Sequence, residues 1–283
     1  MVDEAPPLPP LREVIARYGL SARKGFGQHF LLDANVTDRI ARAAGPFEGR
    51  TVIEIGPGPG GLTRSLLAAG ASRVVAVELD SRCVAALEDL TIAYPGRLEI
   101  IQADALRLDL RTVAAPPRKI VANLPYNVAT PLLLGWMRHA AAFETLTLMF
   151  QKEVADRLLA APRSKDYGRL SVIVQWLCEV RRLFDLPAKA FVPPPRVVST
   201  VVQLMPRSVP AEAVDPDVLS VVTKAAFGQR RKMLRSSLRS LPVDALTLID
   251  AAGLRPDARA EELTVDEFCA LARALRARAT GPL

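Results

Sequence analysis

The chain has 283 residues, half of them apolar, and a net charge of +7. That length suits one large domain, or a domain with a small appendage, and the basic surplus favours a polyanion such as nucleic acid or an anionic membrane. Cys83, Cys178 and Cys269 stand far apart with no paired spacing, which excludes a disulfide framework and a zinc pattern, and with two histidines a His-based metal site is not expected.

No apolar run is long enough for a bilayer-spanning helix, and the acidic, Pro-rich start "MVDEAPPLPP" does not read as a signal peptide. No membrane association and a cytoplasmic location are expected. Residues 1–20 form an N-terminal lead, with 1–10 disordered and "LREVIARYGL" (11–20) a short helix stopped by Gly19. A basic loop follows, "SARKGFGQHFLLD" (21–33), and Asp33 is placed to cap a helix that ends at Gly45. Strands and helices then alternate. Strand-like runs stand at 51–55 (TVIEI), 73–80 (RVVAVELD), 97–104 (RLEIIQAD), 119–127 (KIVANLPYN) and 145–150 (TLTLMF). Helical stretches lie between them, including 62–70, 81–90 with Ser81 as its cap, and 130–140. Short apolar runs separated by helices predict an α/β fold: a Rossmann-like, mostly parallel, doubly wound sheet with helices on both faces.

Residues 151–160 and 167–180 have helical spacing, and 181–187 and 197–206 look like strands near the sheet edge. Past Pro206 the texture changes: 207–283 contain no strand-like run and read as short helices at 216–228, 229–240, 243–253 and 264–279. Clustered Pro206, Pro210 and Pro216 set a boundary there. The expected organisation is the lead, a main domain over 21–206 and a small all-helical domain over 207–283.

The chemistry gathers at strand ends. "EIGPGPGG" (54–61) follows a strand and opens a helix, where glycines let the backbone turn sharply and approach a ligand. Glu78 ends the next strand, about 20 residues after the glycines, where an acid can bind ribose hydroxyls. Asp104 ends the third. Together these describe a nucleoside pocket at the carboxyl edge of the sheet. There is no G-x-x-x-x-G-K-[ST] run, so no phosphate-binding loop of that type. With Glu54 directly before the glycines, three acids suit a cationic ligand that has a ribose and no phosphate, and S-adenosylmethionine fits that description.

The fourth strand brings "NLPY" (123–126) to the same crevice. An exocyclic aromatic amine is a poor nucleophile because its lone pair is delocalised into the ring. Two acceptors on its N–H bonds can aim that lone pair at a methyl group, and the Asn123 side-chain oxygen and Leu124 carbonyl can serve. Pro125 fixes the turn, and the ring of Tyr126 can stack on a flipped base.

These motifs resemble the ribosomal RNA adenine N6-dimethyltransferase family, and within it the small-subunit (16S) branch linked to kasugamycin sensitivity. The matching stretches are GQHFL (27–31), EIGPGPGGLT (54–63), VELD (77–80), QADAL (102–106), NLPYN (123–127), LMFQKEVADRL (148–158), YGRLSV (167–172), FVPPPRVVS (191–199) and FGQRRKMLRSSL (227–238). The Asn-Leu-Pro-Tyr motif is shared with many amino-methyltransferases, while the last two stretches are more specific. The resemblance implies a methyltransferase fold using S-adenosylmethionine and no metal. It implies transfer to N6 of two adjacent adenines in the 3′-terminal hairpin loop of 16S rRNA, within an immature 30S subunit, by a monomer. Carried over by motif, His29 and Leu31 line the methionine end of the cofactor, Gly56 and Gly58 approach it from the loop, Glu78 binds the ribose, and Asp104 the adenine amine. Leu79 and Ala105 complete that set. Asn123 lies between cofactor and target base, and Phe191 stacks on the base opposite Tyr126. His29 stands where many family members have Asn.

Lys224, Arg230, Arg231, Lys232, Arg235 and Arg239 form a basic stripe with no acid between its ends, suited to tracking phosphates. Arg17, Arg23 and Lys24 add charge near the N-terminus. Two alternatives stay open: a large-subunit (23S) rRNA methylase of the antibiotic-resistance type, and a ribosome-assembly checkpoint factor for which methylation is secondary.

Overall fold

A computed structural model describes residues 8–20, 29–208, 210 and 212–279. The expectations for residues 1–7 and for Arg23 and Lys24 lie outside them. The strands are β1 (Phe30–Leu31), β2 (Thr51–Ile55), β3 (Arg73–Glu78), β4 (Leu98–Gln102), β5 (Arg118–Asn123), β6 (Thr145–Gln151), β7 (Cys178–Leu186), β8 (Phe191–Val192) and β9 (Ser199–Pro206). The helices are α1 (Leu11–Arg17), α2 (Ala34–Ala44), α3 (Gly61–Ala68), α4 (Ser81–Ala93), α5 (Tyr126–Met137), α6 (Lys152–Leu159), α7 (Arg169–Leu177), α8 (Pro216–Gly228), α9 (Leu234–Ser237), α10 (Ala245–Ala251) and α11 (Val265–Ala279).

Seven strands make one sheet in the order β4-β3-β2-β5-β6-β9-β7. β4, β3, β2, β5 and β6 run parallel, and β9 returns antiparallel to β6. Val52, Ile53, Val74, Val75, Ile120 and Val121 are fully buried, as expected of strands covered on both faces. From β2 the chain steps outward through β3 to β4, then returns to lay β5 on the other side of β2. That reversal opens a crevice at the carboxyl ends of β2 and β5, where open α/β sheets bind ligands.

Two compact units emerge, Met1–Lys152 with Arg181–Pro206, and Glu153–Val180 with Arg207–Leu283. Glu153–Val180, which carry α7 and the first residues of β7, thus group with the C-terminal helices. The reason lies in packing: Tyr167, Val172 and Trp176 share a hydrophobic cluster with Leu219, Val222 and Phe268, and the Trp176 indole donates to the Glu212 carbonyl at 2.7 Å.

Several boundaries differ from the residue pattern. The helical spacing of 167–180 carries α7 only to Leu177, after which Cys178–Val180 begin β7, because a short apolar run satisfies either period. β5 stops at Asn123, and Pro125, with its fixed φ, leads directly into α5 at Tyr126. Asp80, not Ser81, caps α4 by accepting from the Arg82 amide. Residues 229–233 form a turn rather than helix, tied by an isolated bridge between Met233 and Arg259. The β1–β8 ribbon, antiparallel with Leu31 opposite Phe191, has no counterpart in the sequence reading. Asp33 caps α2 as expected.

Candidate active site

The loop after β2 is drawn close to its neighbours. Gly58 takes φ +56°, a left-handed conformation that side chains avoid, and a Cβ there would sit 3.1 Å from the Phe30 ring. A Cβ on Gly61 would lie 2.8 Å from the Leu31 carbonyl. Glu78 organises this loop: its carboxylate accepts from the Gly58 amide at 3.0 Å and from the Leu79 and Asp80 amides at 2.8 and 2.9 Å. Burial raises its pKa, and the three backbone donors oppose that shift. Glu78 therefore ties the glycine loop to the β3 turn, a task beyond any contact with a ribose.

Asp104, just after β4, accepts from the Leu106 amide at 2.9 Å and has Arg107 at 3.8 Å. Leu79 and Leu106 are each about half exposed, unusual for leucines, and both border the crevice. Leu106 is missing from the sequence-derived site although it ends the QADAL stretch. Glu54, at the other extreme, is 1 % exposed. Its Oε2 has no hydrogen-bond partner among the described residues, and the Thr63 hydroxyl is the polar side chain that acts on the carboxyl. Burial pushes the Glu54 carboxyl up to about 8, against an opposing hydrogen bond from Thr63 and with a smaller push from the Glu78 charge.

At the end of β5 the Asn123 amide nitrogen donates to the His29 carbonyl at 3.0 Å. A carbonyl only accepts, so this bond fixes which way the amide faces and leaves its oxygen for a ligand. Leu124 is buried. Tyr126, the first residue of α5, bonds its hydroxyl to Ser199 Oγ and packs against the His29 ring with centroids 5.3 Å apart. The His29 Nδ1 donates to the Pro193 carbonyl at 2.8 Å.

These groups surround one cavity of about 230 Å³. His29, Leu31, Gly56, Gly58, Glu78, Leu79, Asp104, Ala105 and Asn123 all line it, as do Leu124, Pro125 and Tyr126. Phe191 does not. It is 2 % exposed and packs in a hydrophobic cluster with Leu31, Val121 and Met149. No face of its ring is open in this structure, so stacking of Phe191 on a base would require the ring to leave that cluster. Phe30 and Leu106 line the cavity without having been foreseen.

In the C-terminal unit, Arg231, Lys232 and Arg235 are exposed, as are Lys224 and Arg239. Arg230 differs: its guanidinium pairs with Glu261 at 2.8 Å and also donates to the Ser164 carbonyl at 3.3 Å. It braces the turn at 229–233 rather than standing free. Arg17 likewise meets Asp89, at 3.4 Å.

The sheet order, the glycine loop after β2 and the acids ending β3 and following β4 define the fold class of S-adenosylmethionine-dependent methyltransferases. The chain belongs to the ribosomal RNA adenine dimethylase family, whose model matches residues 19–277, and it is an enzyme of that kind. It is 62 % identical over 270 residues to ribosomal RNA small subunit methyltransferase A of Rhodospirillum rubrum, covering 95 % of this chain and 93 % of the relative. It is 63 % identical over 271 residues to the protein of the same name from Paramagnetospirillum magneticum, covering 96 % of each. Among solved structures, a dimethyladenosine transferase from Plasmodium falciparum aligns with a TM-score of 0.78 at 26 % identity, over 89 % of this chain and 98 % of that one. The 23S rRNA methyltransferase ErmE aligns with a TM-score of 0.65 at 27 % identity, over 87 % of this chain and 99 % of that one.

Proposed function

We propose that the enzyme transfers methyl groups from S-adenosylmethionine to N6 of two adjacent adenines in the 3′-terminal hairpin loop of small-subunit (16S) rRNA, giving N6,N6-dimethyladenosines as the subunit matures. The observation that carries this reading is the Asn123 amide, held by the His29 carbonyl at 3.0 Å so that its oxygen is left for the target amine. The small-subunit target is supported by the relatives named for that subunit, at 62 % and 63 % identity. The large-subunit alternative has a 27 % identical neighbour in its favour.

The cavity fits the cofactor. A buried acid, Glu54, with one oxygen unpartnered among the described residues, suits a cationic group, and the exposed Leu79 and Leu106 side chains offer apolar walls to a purine. Bound there, the cofactor supplies an electrophilic methyl on a sulfonium. Glu78 and Asp104 accept hydrogen bonds from its ribose and adenine amine. Asn123 Oδ1 and the Leu124 carbonyl accept from the two N–H bonds of the adenine amine, which turns the nitrogen lone pair toward the methyl. After one transfer a single N–H remains, and one acceptor still orients the nitrogen. Tyr126 stacks on the flipped base, and the amine proton passes to water, so no side chain need be a strong base.

Asn123→Ala tests the reading in single-turnover transfer to immature small subunits at saturating cofactor. The expected result is a fall of about a hundredfold or more, since misplacement by about 1 Å costs that much, with folding and much of the cofactor binding intact. Near-normal transfer would overturn the assigned role. Mass mapping of rRNA from cells lacking the gene checks the target: small-subunit adenines without methyl groups are expected, and their retention excludes it.

A further inference from the structure

We propose that Ser199 is a positioning residue for methyl transfer, acting with His29 to set the plane of the Tyr126 ring before the target base arrives. The inference rests on the reading above that Tyr126 stacks on the base. It adds how that ring is held, and it gives Ser199, at the end of the FVPPPRVVS stretch, a task of its own.

Tyr126 stands at the first position of α5, straight after Pro125, which makes no side-chain cap. The helix alone does not fix such a ring, because an N-terminal side chain has no preceding turn to pack against. Two contacts do. At the hydroxyl end the partner is Ser199 Oγ. Ser199 is fully buried, and its backbone is locked by the ladder to β6, where it faces Gln151. At the ring itself the partner is the His29 imidazole, 5.3 Å away between centroids and tilted by 32°. That imidazole is anchored in turn, because Nδ1 carries the proton it donates to the Pro193 carbonyl at 2.8 Å. The two anchors, Pro193 and Ser199, belong to one short segment, so the segment grips the ring at two points.

Burial raises the phenol pKa of Tyr126, so the group stays an O–H through the working pH range and the tether persists. A buried serine hydroxyl needs some partner, and a purely structural role for Ser199 would be satisfied by any. The positioning role differs in one respect: the same loss must follow whichever end of the bond is removed, and it must appear in the rate of transfer at temperatures where every variant is folded, with cofactor affinity unchanged.

The experiment is a double-mutant cycle on Ser199→Ala and Tyr126→Phe, each of which deletes one oxygen and little volume. Single-turnover transfer is measured with saturating RNA and cofactor, beside cofactor affinity and melting temperature. Each single variant is expected to slow transfer by about tenfold, the scale of one lost hydrogen bond. The double variant should be no slower than either, cofactor affinity should stay at the wild-type value, and the melting temperature should fall by no more than the few degrees that one lost buried hydrogen bond costs. A wild-type rate in Ser199→Ala, multiplying defects in the double variant, or a rate loss that vanishes when transfer is measured well below each variant's melting temperature would each overturn the proposal. Tyr126→Ala separates this from the underlying reading. If Tyr126→Ala transfers normally, stacking by Tyr126 is wrong and positioning falls with it. If Tyr126→Ala is impaired while Ser199→Ala is normal, only the positioning role is lost.

Discussion

At neutral pH a carboxyl group ordinarily carries its charge, yet Glu54 sits 1 % exposed at the end of β2, with one oxygen unpaired among the described residues. Burial lifts its pKa from 4.5 to about 8, so in the folded, ligand-free enzyme it is largely protonated at pH 7, while in the unfolded chain it is ionised. The native state then holds more protons than the unfolded state between those two values, and stability falls as pH rises through that window. A bound cation reverses the preference and draws the proton off. Cofactor affinity should therefore rise from about pH 6 to about pH 7.5 with release of a proton, and Glu54→Gln should bind more weakly with a flatter profile. Calorimetry in buffers of different ionisation enthalpy reads the proton directly, and an unchanged slope in Glu54→Gln would remove Glu54 from the linkage. At this scale much of the site is legible in the sequence. Glu78, Asp104 and Asn123 announce themselves because acids and an amide at successive strand ends must share one edge of a parallel sheet. Ser199 does not, since its contact with Tyr126 joins residues 73 positions apart.

Elements with one strong period are also readable from the residues. TVIEI and RVVAVE form β2 and β3 because continuous β-branched runs, bounded by glycines or helix caps, have no other stable use. Reading fails where two outcomes fit the same letters. Cys178–Val180 continue the apolar spacing of α7 but pair as strand, and the two-residue β1 and β8 are too short to show a period, since only a distant partner makes them a ribbon. That ribbon decides what Phe191 does. Placed opposite Leu31 and buried to 2 %, it should behave as a core residue. Phe191→Ala is expected to cost about 3–5 kcal/mol of stability by cavity formation, and Phe191→Leu far less. Denaturant unfolding of both variants checks this. Full stability in Phe191→Ala, with impaired transfer, would restore a direct role on the base.

For the molecule as a whole, net charge is a statement about partners, but it does not say which cations are available to them. A surplus of +7 points to a polyanion, while the structure shows that part of the basic complement is engaged within the fold. Arg230 braces Glu261 and Ser164, and Arg273 meets Glu212 at 2.6 Å. Arg231, Lys232 and Arg235 remain exposed on the turn at 229–233 and on α9. If these three contact phosphates, each releases close to one counterion on binding. The triple Gln variant should then lower the slope of log affinity against log salt by about two to three units. Arg230→Gln should behave differently. Its ion pair is only partly exposed and contributes at most about 1 kcal/mol, so it should lower the melting temperature slightly while leaving the salt slope near that of the wild type. RNA binding titrated over about 50–200 mM salt separates the two. A slope unmoved by the triple substitution would make the stripe a merely solvated surface. A large change of slope in Arg230→Gln alone would mean that its pair with Glu261 opens to reach the RNA.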